Sequence, residues 1–428
     1  MPEPHLYVPG DGLCTTYVTW SDLEEDMQRS LKTSARFGPN KSFKDIGDGK
    51  GFASKTLLIN PDWQSQQEEL PEKFVAKAKD VTLQIVTVLV VQKLYGKNGD
   101  ENGTDNNGKN NTTELEHMLS AERLLKRGHN VEIATYKLLA KIPEGKIKIP
   151  QIYSMKSFTD NNPVKGYILM EYYKDVEGAQ MHRNIAPENL KPALKYIAVV
   201  TANSLGVSQE ERKEFHEALH KTVLGSDYVL QVWKSNLHTL ETWADGKFAT
   251  KAKRLESISS DILDVDRADN MADECGMERV LCHGDFWPGN ILWRSEGGQL
   301  RFFTVVDFQT AHFGCTATDL VRLFTIGLSG ADRRKNWEKL LEVFYEYLLE
   351  EVGDRPMPYT LEQLKEAYRR VFPIGTALAV VIMAHIFETV VQNPTNEQRQ
   401  EIIEKTECLL DDMFHYYERN VELKRNER

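Results

Sequence analysis

The tightest constraint on this 428-residue chain lies between residues 280 and 309. Two apolar runs, VLC and ILW, enclose the polar kernel HGDFWPGN, and a third run, RFFTVV, leads straight into Asp307. Short apolar runs bounded by turn residues read as buried strands. A carboxylate at the end of such a strand leaves the core at a defined point. Asp285 and Asn290 stand five positions apart, in a connection that Pro288 and Gly289 turn tightly. The sequence thus aims an acid, an amide and a second acid from neighbouring strand ends.

The totals narrow what these groups serve. Lys and Arg number 53 against 64 Asp and Glu, a formal charge of −11. That balance excludes nucleic acid as the main partner, because phosphate backbones are held by basic surfaces. It leaves open an anionic small molecule gripped by one or two basic groups or a metal. The five cysteines are scattered, with no Cys-x-x-Cys pair. A reducing, cytoplasmic compartment is expected, with neither a disulfide framework nor a zinc site. The first twenty residues have no basic start and no apolar core, so no signal peptide is expected. The longest apolar run, 375–391, carries His385 and Glu388. It is expected to be a buried core helix, and no membrane partner follows from it. Nothing in the chain specifies an oligomeric state.

Texture divides the chain in two. Strand patterns occupy 46–59, 73–80, 148–155 and 166–173. An Asn- and Gly-rich segment, 95–114, interrupts them and is expected to be a mobile insertion. Thr113 and Glu116 have the spacing of a capping box for a helix running to about Lys141. Beyond Tyr173 long helical patterns dominate, among them 188–205, 209–245, 336–352 and 361–392. The expectation is an α+β protein with a strand-rich first lobe, 1–173, and a helical second lobe, 174–428.

Four elements carry chemistry. Asp285 and Asn290 have the Asp-x4-Asn spacing of a kinase catalytic loop, where the Asp takes or orients an acceptor proton. The Asn amide oxygen is a hard neutral ligand suited to Mg²⁺, and Asp307 is a second oxygen donor twenty-two residues after Asp285. Upstream, Lys77 lies in the strand FVAKA, with Lys79 at the same parity as its competitor. Glu132 borders the helical face made by Val131, Ala134 and Leu138 and is the candidate partner for the lysine. The turn Gly47-Asp48-Gly49-Lys50-Gly51 lets backbone N–H groups approach phosphate oxygens. Trp233, Trp243, Trp287 and Phe313 are candidate aromatic walls for a steroid or a choline-like cation, although such residues more often pack in cores.

These residues, in this order, resemble the aminoglycoside-phosphotransferase and choline-kinase branch of the kinase-like superfamily. HGDFWPGNIL looks like that branch's catalytic loop, with Gly284 where protein kinases carry Arg, and VVDFQ looks like its metal motif, with Gln309 in place of Gly. Within the branch the chain is similar to the CHK-kinase-like, or ecdysteroid-kinase-like, group. VTWSDLEEDM, ARFG and IGDGKGFAS are similar to an uncharacterised nematode subset of it. The resemblance implies a bilobal fold of the protein-kinase type binding ATP and Mg²⁺ in the cleft. It implies Asp285 as catalytic base, Asn290 and Asp307 as metal ligands, and Lys77 with Glu132 as the phosphate-positioning pair. Gly47, Gly49, Gly51 and Ser54 would line the phosphates, Met170, Glu171 and Tyr172 would form the adenine hinge, and His283 would brace the loop. Two departures stand out. Phe52 replaces a loop glycine, and the triplet Ala186-Pro187-Glu188 precedes the catalytic loop, whereas in protein kinases it follows the metal Asp.

The helical pattern resumes at Asp319, only twelve residues after Asp307. That leaves little room for an activation segment and favours a small-molecule hydroxyl acceptor over a protein. The expected function is ATP-dependent phosphoryl transfer to such a hydroxyl on a choline-like, steroid-like or foreign alcohol. The rival is a catalytically inactive binding protein on the same fold, holding a lipophilic ligand or a protein partner.

Overall fold

The computed structural model describes residues 6–47, 54–64, 69–79, 107–225, 227–391 and 393–426. The chain separates into two compact units, Met1–Ile133 with Pro150–Lys174, and Ala134–Ile149 with Asp175–Arg428. Residues 134–149, assigned to the first lobe from sequence, therefore fall in unit 2.

Unit 1 is built on a five-stranded antiparallel sheet in the order β1-β2-β3-β5-β4. Its strands are β1 (Ser42–Asp45), β2 (Ser54–Asn60), β3 (Phe74–Lys79), β4 (Ile152–Lys156) and β5 (Tyr167–Glu171). Helix α1 (Trp20–Leu31) starts at a capping box, in which Thr19 accepts the Asp22 N–H and Asp22 accepts the Thr19 N–H. Leu23 and Met27 of α1 share one core with Leu57, Ile59, Phe74, Ala76, Ala78, Tyr167 and Leu169. Side chains alternate across a strand, so Val75, Lys77 and Lys79 take the opposite face of β3. All six β3 residues are buried. A lysine on such a strand must find a partner, because an uncompensated buried charge costs several kcal/mol.

Helix α2 (Asn107–Leu139) follows β3 in the chain. It begins earlier than the sequence suggests. Residues 107–114, expected within the insertion, are helical, and Thr113 lies inside the helix instead of capping it. Extending a nucleated helix fixes one residue per hydrogen bond gained, which favours elongation over a new start. Residues 95–106 of the expected insertion lie outside the described residues.

Unit 2 is mostly helical, with α3 (Pro187–Ser204), α4 (Asp227–Gly246), α5 (Ala317–Gly327), α6 (Gly330–Val352), α7 (Leu361–Val390) and α8 (Asn396–Asn426) as its longer helices. The pattern at 209–245 does not form one helix. It is cut into Gln209–Arg212, Leu219–Leu224 and α4, because His216 bridges to His312 and Asp269 captures the N–H groups of His220 and Lys221. Two small sheets complete the unit. One has the order β6-β8-β9 (Glu177–Gly178, Ile291–Glu296, Gln299–Val305), and the other pairs β7 (Val280–Cys282) with β10 (His312–Gly314).

The α+β class, with a sheet-based unit and a helical one, agrees with the sequence reading. Helix α7 contains the one segment among the described residues, Leu361–Glu388, long and apolar enough to cross a membrane, and 67% of its most apolar window is buried inside the protein. It is a core helix. Pro373 within it removes an N–H and leaves the Arg369 carbonyl without its helical donor. Asn420 of α8 fills the gap, donating from Nδ2 to Arg369 O at 3.2 Å and to Arg370 O at 3.3 Å. Asn420→Ala should lower the unfolding free energy by about 1–3 kcal/mol, read as a lower urea midpoint with an unchanged slope.

Candidate active site

In unit 2 the chemistry begins where β7 ends. The His283 N–H donates to Asp319 Oδ2 at 2.6 Å and the Gly284 N–H to Asp319 Oδ1 at 2.9 Å, so one carboxylate of α5 fixes two successive peptides. Burial pushes the Asp319 carboxyl up from its ordinary value, opposed by His283 and these two N–H donors. Gly284 has φ +82°, and a Cβ there would lie 2.2 Å from Thr310 O, so a side chain is excluded. His283 Nδ1 receives the Asp285 N–H at 3.3 Å while Nε2 meets Val306 O at 3.0 Å, which assigns the proton to Nε2. Its ring lies 4.7 Å from that of Phe308. The histidine thus joins the loop after β7 to the segment after β9.

The Asp285 carboxylate is held at both oxygens. Oδ2 accepts from Asn290 Nδ2 at 3.0 Å, and the same amide donates to Asp285 O at 2.9 Å. Oδ1 accepts from Arg322 Nε at 2.8 Å and lies 2.7 Å from Arg322 Nη2. With its NH₂ committed to Asp285, Asn290 keeps its amide oxygen as its other polar group. The register Ile291↔Val305 and the Val306 N–H donating to Asn290 O at 3.0 Å bring Asp307 off β9 beside Asn290. Asp307 has φ +69°, a left-handed conformation uncommon outside glycine. Strain of that kind persists where surrounding structure over-determines it, and it clusters at functional sites.

In unit 1, Lys77 stands across from Thr56 and Ile168 in the sheet. Its Nζ lies 2.8 Å from both Glu132 oxygens. Glu132 is fully buried, not at a helix margin, because Val131, Ile133, Thr135 and Tyr136 are buried around it as well. Glu132 thus pairs with Lys77, and Lys79, also buried, lies near His129 instead. Burial first, then the charges of Lys79 and Lys77, hold His129 down at about 3. Its Nε2 faces Lys156 O at 2.9 Å.

At the Gly-rich turn, Asp45 Oδ1 accepts the Gly47 N–H at 2.9 Å, and Ser54 opens β2 opposite Lys79. Gly49 and Gly51 lie outside the described residues. Met170 and Glu171 close β5, and the Glu171 carboxylate accepts the Gln151 N–H at 3.2 Å. Tyr172 follows, half-buried.

Two residues of this constellation escaped the sequence reading, Asp319 as the anchor of the loop and Arg322 as the partner of Asp285. Their signal was two charges three apart in an otherwise apolar helix, ATDLVRLFTIG, which places both on one face. Among the candidate aromatic walls, Trp233, Trp243 and Phe313 are core residues. Trp243 stacks on Phe248, and the Arg212 guanidinium covers Phe313 at 4.5 Å. Trp287 is half-buried and lies against Gly289.

A strand lysine paired with a glutamate on the following helix, then a loop joining Asp and Asn, is the arrangement of kinase-like proteins. A family model with the description "Uncharacterized oxidoreductase dhs-27" matches residues 6–421. The chain belongs to this family, DUF1679. It is similar to "Uncharacterized kinase-like protein D1044.1" of Caenorhabditis elegans, 28% identical over 158 residues, 35% of this chain and 41% of that protein. It is also similar to "Uncharacterized oxidoreductase dhs-27" of the same organism, 23% identical over 246 residues, 55% of this chain. The match spans 29% of that protein, so this DUF1679 chain corresponds to under half the length of either curated relative.

Among solved structures it is similar to choline kinase from Cryptosporidium parvum, with 12% identity and TM-score 0.44 over 95% of this chain and 97% of that one. An ethanolamine kinase of Plasmodium vivax matches with 13% identity and TM-score 0.38 over 86% of this chain and 82% of that one.

His129 gives a pH signature. Its folded value near 3 lies below the ordinary 6.5, so between those limits the unfolded chain binds a proton that the native state refuses. Stability should therefore fall as pH drops through that window. His129→Gln, which keeps a donor for Lys156 O, should flatten the slope by up to about 1.4 kcal/mol per pH unit in denaturant melts.

Proposed function

We propose that this protein is an ATP- and Mg²⁺-dependent phosphotransferase acting on a hydroxyl of a small molecule. The observation that carries the reading is the loop of unit 2. Asp285 is held by Asn290, and Asp307 leaves β9 beside them in a left-handed conformation. An amide oxygen and a carboxylate form an all-oxygen donor set, the kind Mg²⁺ prefers. Asn290 and Asp307 are the residues that would hold the ion. When bound, Mg²⁺ offsets negative charge on the transferred phosphoryl group.

The remaining roles belong to the protein's own side chains. Asp285 orients the acceptor hydroxyl and takes its proton. Lys77, kept in place by Glu132, neutralises phosphate oxygens without swinging freely. Gly47 and Ser54, the described ends of the Gly-rich turn, border the phosphates, and Met170, Glu171 and Tyr172 frame the base. A small acceptor fits the short segment after Asp307, which passes through β10 and enters α5 at Ala317. The acceptor is a choline-like, steroid-like or foreign alcohol. The five cysteines carry no disulfide, in keeping with a cytoplasmic setting.

The family's description names an oxidoreductase, yet dinucleotide-dependent dehydrogenases of the doubly wound class bind their cofactor on a parallel sheet. Among the described residues every strand ladder is antiparallel. That favours phosphoryl over hydride transfer for this chain.

Asp307→Ala should abolish ATP turnover, and Asp285→Ala should lower kcat by about 10²–10⁴-fold. Mg·ATP at one hundred times its Kd should stabilise the wild type by about 2.7 kcal/mol in thermal melts. Wild-type turnover in Asp307→Ala would overturn the reading, and no stabilisation at any nucleotide concentration would favour a catalytically inactive binding protein.

A further inference from the structure

We propose that Arg322 sets the charge class of the acceptor, admitting uncharged and anionic hydroxyl compounds and excluding quaternary-ammonium alcohols. This rests on the phosphotransferase reading and deepens it. The Arg322 guanidinium touches Asp285 Oδ1 through Nε at 2.8 Å and Nη2 at 2.7 Å, and both side chains are partly exposed, 20% and 29%. The carboxylate that meets the acceptor hydroxyl therefore carries its countercharge already. A cationic acceptor gains nothing from Asp285 and is repelled by Arg322. An anionic or strongly accepting group on the substrate instead finds the rest of the guanidinium fork, which has five N–H donors and has committed only those of Nε and Nη2. Nη1 has no partner among the described residues.

The aromatic side of the question agrees. A quaternary ammonium is recognised by open aromatic faces. Of the four candidate walls, Trp233 and Trp243 are buried in the core, the face of Phe313 is taken by a second guanidinium, that of Arg212, at 4.5 Å, and only Trp287 is half-buried, its ring lying against Gly289. Helix α5 also makes Arg322 hard to displace. Asp319, one turn earlier on the same face, binds the backbone of His283 and Gly284, so loop and arginine are held in register.

Choline and its uncharged isostere 3,3-dimethylbutan-1-ol separate charge from size, and 3-hydroxy-2,2-dimethylpropanoate, one methylene shorter between hydroxyl and branched carbon, serves as the anionic probe. Each is incubated with Mg·ATP and the full chain, and phosphorylated product is followed by mass. Wild type should favour the uncharged and anionic probes over choline by about tenfold or more in kcat/KM. Arg322→Gln should narrow that ratio by a similar factor, while Arg322→Lys should preserve it. The proposal is overturned if wild type uses choline as well as its isostere. It is equally overturned if Arg322→Gln lowers all three rates by one common factor, as a structural role would. Transfer to none of the probes, with slow acceptor-free ATP hydrolysis intact, counts against the charge-class inference alone. Absence of any ATP hydrolysis in the wild type counts against the phosphotransferase reading, and the inference falls with it.

Discussion

Helix α5 grips the loop after β7 at two levels, and the geometry of the site in unit 2 depends on that grip. Asp319 takes the two backbone N–H groups that a strand end leaves without partners, and Arg322 takes the side chain of Asp285. The first contact is buried and the second partly exposed. A buried carboxylate accepting two N–H bonds is costly to place and costly to disturb, since either change leaves polar groups without water or partner. Gly284 is a consequence of this closeness: with Thr310 O so near, the chain passes only without a side chain. His283 extends the clamp to Val306, so the segments bearing Asn290 and Asp307 are held by the same few bonds.

Unit 1 solves a different problem. Strand β3 is buried on both faces, and alternation puts two lysines on the side away from α1. Such an arrangement brings little net stability, because desolvating an ion pair consumes most of its Coulombic gain. What it provides is a lysine with one geometry. Glu132 receives Nζ with both oxygens, and His129 stays neutral nearby because burial and the lysine charges oppose its protonation. The sheet positions a charge that the fold does not need for its own cohesion.

Several features were legible in the chain. Strand patterns located β2, β3, β4 and β5, with alternation visible in β3, and short apolar runs around polar residues located the loop after β7 and the end of β9. Two misreadings share a cause. The stretch 209–245 has a continuous helical pattern, yet Asp269, some fifty residues away in sequence, captures N–H groups within it and His216 pairs with His312. Glu132 looked marginal because the periodicity of α2 shows one apolar face, whereas the folded helix is covered on several. In both cases the deciding neighbour comes from a distant part of the chain, and local pattern carries no trace of it.

By itself the sequence determined the α+β class, the order of the polar groups and the spacing that makes Asp285 and Asn290 neighbours, because these follow from periods of two and 3.6 and from turn residues. Only the tertiary structure decided which lysine Glu132 holds, that Asp319 anchors the loop and that Arg322 meets Asp285. Those choices compare interactions between residues 35 to 55 apart, and their energies depend on burial and direction that no linear pattern encodes.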